Sequence, residues 1–94
     1  MQLHFSISNG NVVAQLYNEE HKVVCVQQCE IQNLCEKIVQ LFARIDEFLT
    51  KNKQIMPFDE RNICFDFDEQ RNITTARIIL SFIAGLNILN IQNK

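Results

Sequence analysis

The chain has 94 residues, of which 47% are hydrophobic and 21% charged, with a net charge of −2. That composition describes one small folding domain with a modest core and excludes a disordered segment. Lys and Arg are scattered and form no basic stripe, which argues against nucleic acid as a direct ligand.

The opening "MQLHFSIS" lacks the basic and long apolar regions of a secretory leader, and no run approaches the ~20 apolar residues of a membrane span. The reading is a cytoplasmic chain that does not engage membranes. Four cysteines, at 25, 29, 35 and 64, make no C-x-x-C pair and have no zinc-like spacing with His4 or His21. Cys25, Cys35 and Cys64 lie among apolar neighbours and read as small core residues in a reducing compartment.

Residues 2–8, "QLHFSIS", alternate cleanly, with Leu3, Phe5 and Ile7 on one side and Gln2, His4, Ser6 and Ser8 on the other. Asn9-Gly10 follows, a strong hairpin signal. Residues 12–18 and 21–28 read as the second and third strands, turned at Asn18-Glu19-Glu20, so the chain opens as an antiparallel meander. From about Glu30 the period changes. Apolar residues recur at three and four from Ile31 to Leu49, opposite Glu30, Lys37, Gln40, Arg44, Glu47 and Lys51. This predicts a long amphipathic helix.

Pro57 punctuates a connecting loop, "IMPFDER". "NICFDFD" (62–68) alternates again, and a second helix is expected from about Ile73 to Leu86, with Asn72 or Thr74 as its N-cap. Gly85 and Asn87 stand where that helix should stop, and "ILNIQ" reads as a short last strand. The order is β-β-β-α-β-α-(β). A sheet ordered 3-2-1-4-5 places both helices on one face and leaves the other bare.

The second helix, "RIILSFIAGLNIL", has almost no wet side. Thr75, Ile79, Phe82 and Leu86 form one row, Ala76, Leu80, Ile83 and Ala84 its neighbour, and Ile78 widens the apolar surface. A sheet needs only a stripe about 100° wide. The excess points to a partner surface built from Leu34, Ile38, Leu41 and Ile45 on the first helix, and Thr75, Ile78, Ile79, Phe82, Ile83 and Leu86 on the second. Nothing points to catalysis. Asp66 and Asp68 share a strand face but read as solvated carboxylates, and no nucleophile motif or phosphate loop is present. No catalytic residue, cofactor or resident metal is expected.

At "RIILSFIAGLNI" the sequence resembles the N-terminal lobe of the tRNA threonylcarbamoyladenosine biosynthesis protein TsaB (YeaZ) family. Thr74, Arg77, Ile78, Leu80, Ser81, Gly85 and Leu86 match that family's second-helix pattern, roughly G-P-G-S-F-T-G-L-R-I-G-L-S-x-A-K-G-L. "ARIDEFLTKN" (43–52) is similar to its first helix, and "LHFSIS" followed by "NGNVVAQLYNEEHKVV" stands where it has a strand and hairpin. Ser6 replaces the family's strand Asp, and Glu69 to Ile73 replace its glycine-rich loop.

The resemblance covers nearly all 94 residues but only the first lobe of the family. It implies an α/β fold, a single actin-like ATPase (ribonuclease-H-like) lobe. It also implies a non-catalytic scaffold module that pairs through its two helices, as a homodimer or with a TsaD-like actin-fold protein, in tRNA t6A modification. Two alternatives are a metal- or ligand-binding relic of such a lobe using Asp66 and Asp68, and a Pcc1-like dimerisation subunit of KEOPS type.

Overall fold

Asn9 and Gly10 both take positive φ, 51° and 77°, the paired left-handed geometry of a type I′ hairpin. In the computed structural model, which describes residues 1–54, 58 and 61–92 (87–92 by backbone alone), this turn joins β1 (Gln2–Ser8) to β2 (Asn11–Tyr17). Cα partners run from Gln2↔Tyr17 to Ser8↔Asn11. A Cβ on Gly10 would meet nothing within 4 Å, so Gly10→Ala carries only backbone strain. We expect a loss of roughly 1–2 kcal/mol, read by urea denaturation at unchanged m-value.

The second turn is closed by Asn18, whose side-chain Oδ1 accepts the N–H groups of Glu20 and Lys22 at 2.9 and 3.0 Å. His21 takes a positive φ of 61°. Nearby, the Met1 ammonium donates to Glu19 at 2.8 Å, and that hydrogen bond and its charge hold the Glu19 carboxyl below its ordinary value. β3 (Val23–Glu30) then returns antiparallel to β2. Its register slips once: Leu16 opposes Cys25 but Tyr17 opposes Val23, leaving Val24 as the extra residue of a bulge.

A short 3-10 turn, Ile31–Asn33, leads into α1 (Leu34–Lys51). Leu34, Ile38, Leu41, Phe42, Ile45 and Leu49 are its buried stripe, at the predicted three-and-four spacing. Asn52 closes it by donating its side-chain N–H to the Phe48 carbonyl at 2.8 Å. Of the connecting loop, Phe58 and Arg61 are described; Ile55, Met56, Pro57, Asp59 and Glu60 lie outside the described residues.

β4 (Ile63–Phe65) pairs parallel with β1, in the register Leu3↔Ile63, His4↔Cys64 and Phe5↔Phe65. It is shorter than the predicted 62–68. The Asp66 N–H still reaches the Phe5 carbonyl, at 2.7 Å, but Asp68 then turns the chain. Its Oδ1 accepts the N–H groups of Gln70 and Arg71 at 3.0 and 3.3 Å. Asn72 holds the N-cap position of α2 (Ile73–Gln92), its carbonyl accepting the Ala76 N–H at 3.1 Å.

α2 runs straight through Gly85 and Asn87, so the expected stop at 85–87 and the expected last strand "ILNIQ" are both overturned. An isolated Gly costs a helix interior only about 1 kcal/mol relative to Ala, so it lowers helix stability locally without forcing a stop. The sheet is therefore mixed and four-stranded, ordered β3-β2-β1-β4, without a fifth member among the described residues.

Leu3 and Phe5 of β1, and Val12, Ala14 and Leu16 of β2, all point to one face and join the buried residues of α1 with Ile79 and Ile83 of α2 in a single core. Both helices thus cover the same face, as predicted. Phe42 of α1 is the aromatic centre, with ring centroids 5.9 Å from Phe5, 5.2 Å from Phe58 and 4.9 Å from Phe82. No helix among the described residues is long and apolar enough to cross a membrane.

Candidate functional site

The chain itself buries more of the α1–α2 apolar surface than the sequence suggests. Leu34, Ile38, Leu41, Ile45, Thr75, Ile79 and Ile83 are each 5% exposed or less, and all but Thr75 belong to the monomer's continuous core. These seven expected interface residues are enclosed by the chain itself. Ile78, Phe82 and Leu86, the remaining three, are half-buried and lie on the rim of that core.

Outward of them stand apolar residues that face solvent. Val39 of α1 is 60% exposed, Ile73 48% and Leu80 40%. The seam between the helices opens into two shallow hollows. One, of about 340 Å³, is lined by Val39, Phe42, Ala43, Phe58, Phe82 and Leu86, with Asp46 at its edge. The other, of about 540 Å³, runs between Cys35 and Ile38 of α1 and Thr74, Ile78, Ser81 and Phe82 of α2, with Arg77 at its margin. Together they form an apolar trough along the outer side of the helix pair, rimmed by single charges.

Val39 is absent from the expected interface. Its signal was present in the sequence: it is an apolar side chain outside the three-and-four stripe of α1, on the flank that carries Ala43 and Asp46. Cys35, expected in the core, is exposed, since the buried stripe passes through Leu34 and Ile38 and leaves position 35 beside it. Cys25, Cys29 and Cys64 are half-buried, and all four thiols are free. Burial pushes the Cys29 thiol above its ordinary value, with the Lys37 ammonium pulling the other way.

The opposite face of the sheet carries a polar cluster. His4 Nδ1 meets Asp66 Oδ2 at 2.9 Å, and Nε2 meets Gln2 Oε1 at 3.2 Å. The His4 ring also lies 4.5 Å from that of Tyr17. These contacts tie β1 to both of its neighbours across the open face. Cys64 sits opposite His4 in the ladder. Both ring nitrogens already have partners, so the arrangement provides no free base to activate the thiol.

Asp66 and Asp68, expected on one strand face, are directed apart. Asp66 engages His4 on the sheet, while Asp68 closes the turn before α2 and pairs with Arg71 Nε at 3.6 Å. No cluster of three metal-ligating side chains forms among the described residues. The turn also disposes of the backbone donors ahead of α2: the amides of Gln70 and Arg71, placed where a phosphate-binding loop would present its own, are occupied by the Asp68 carboxylate. No known protein-family model, curated protein or solved structure matches this chain.

Proposed function

We propose that this chain is a non-catalytic protein-interaction module that docks a partner's helices along the α1–α2 trough. The observation that carries this reading is the exposed Val39 beside the half-buried Ile78, Phe82 and Leu86 along the seam, on a layer whose core is already filled by its own residues. Such a surface gains nothing for the monomer and is removed from water only by another molecule.

The resemblance to the TsaB family supplies the partner. That family uses the helices of this lobe to form a bundle, with a second copy or with a TsaD-like actin-fold protein, in tRNA t6A modification. The β-β-β-α-β-α order, with both helices on one face of a mixed sheet, agrees with an actin-like lobe of this kind. The relic reading draws no support from Asp66 and Asp68, which are separated and engaged elsewhere.

Sedimentation of the wild type, alone and with a TsaD-like protein, tests this. We expect association that Val39→Glu weakens roughly 100-fold or more, because a carboxylate is driven into a drying contact, with an unchanged circular dichroism spectrum. The reading fails if the wild type binds no TsaD-like protein and shows no self-association that Val39→Glu weakens.

A further inference from the structure

A second surface, independent of the helix trough, lies at the far edge of the sheet. Among the described residues β3 has a neighbour only on its β2 side. The Ile31 N–H bonds to the Gly10 carbonyl at 2.9 Å, so Ile31 points its backbone groups at the β2 side. Antiparallel alternation then turns Cys29 and Gln27 the same way and directs the N–H and C=O of Val26, Gln28 and Glu30 outward. This is an unpaired ladder edge.

Edges of this kind are normally protected by Lys, Pro or inward-pointing charge. From Val23 to Cys29 this strand has no charge and no proline. Val23 and Val26 are 42% and 50% exposed. The charges stand at its two ends: Lys22 and Glu30 are placed symmetrically about Val26, both with exposed side chains.

We propose that two copies of this chain join through β3, antiparallel and centred on Val26, into one continuous sheet. In that register Val26 opposes the other copy's Val26, Gln28 opposes Val24, and each Lys22 end meets the other copy's Glu30 end. The ends are therefore complementary twice over, which a two-fold axis through Val26 requires and an unrelated strand would not supply. A two-fold normal to the sheet keeps both helix layers on the same side, so both troughs stay open. This inference does not rest on the helix-docking reading.

The test combines sedimentation equilibrium over a wide concentration range with amide hydrogen exchange. The wild type dimerises, and the amides of Val26 and Gln28 gain protection as concentration rises. Val26→Lys sets like charges directly opposite at the axis and weakens the dimer roughly five- to tenfold. Lys22→Glu also weakens it, and the Lys22→Glu/Glu30→Lys double variant recovers affinity. Val39→Glu, which tests the helix trough, leaves this dimer intact. The proposal is overturned if the wild type stays monomeric with both amides unprotected. It is also overturned if a dimer forms that Val26→Lys does not weaken, or if the two amides are protected only by adding a different protein.

Discussion

Phe42→Ala lowers stability by roughly 3–5 kcal/mol, among the largest losses expected of any truncation in this chain. Phe42 is 3% exposed and packs against Phe5 from the sheet, Phe58 from the connecting loop and Phe82 from α2. Removing the ring withdraws one partner from each of those pairs at once. The cavity cannot collapse easily, because its walls belong to three separate elements. A domain of this length has a total stability of only about 5–15 kcal/mol. The thermal midpoint should fall by roughly 15–30 °C, read by circular dichroism. Phe42→Leu, which refills much of the volume, should recover more than half of that loss.

The position of Phe42 also shows what a sequence can reveal. The stripe that buries it was legible, since period and face follow from the spacing of apolar residues alone. So were the alternating strands, the Asn9-Gly10 turn and the parallel seating of β4 beside β1. The exposed apolar surface of the helix layer was legible only as a surplus. Rows on α2 can be counted, but which row meets the sheet depends on the helix's rotation about its axis, set by contacts such as that of Phe82 with Phe42, far away in sequence. That is why spacing alone puts Ile79 and Ile83 in the same surplus as Phe82, and does not single out the exposed Val39. The end of α2 was misread for a related reason. Gly85 and Asn87 are stop signals only when a tertiary turn exploits them, and here the helix continues through both. The edge role of β3 depends on the pairing order of the whole sheet, which no local pattern contains.

Ile79→Glu and Leu80→Glu should separate the buried side of α2 from its exposed side completely, although the residues are adjacent. Ile79 is 0% exposed, inside the core; Leu80 is 40% exposed on the outer side. A carboxylate at 79 has no polar partner among the core residues around it, so it must either remain neutral or open the fold. The cost of the buried group and the lost Ile packing together is about 5 kcal/mol or more, comparable with the whole stability of the domain. Ile79→Glu should therefore give an unfolded or molten chain by circular dichroism and tryptic digestion, and its loss of partner binding would be a folding effect. At position 80 the carboxylate stays in water, and the helix loses only a surface Leu, within about 0.5 kcal/mol of wild type. Leu80→Glu should melt like the wild type and, because Leu80 lies on the flank of α2 turned away from the two hollows, bind a partner in the trough as the wild type does. If Leu80→Glu abolishes binding while Val39→Glu does not, the contact lies on the outer flank of α2 and not in the trough. If both bind normally, the trough is not the docking surface.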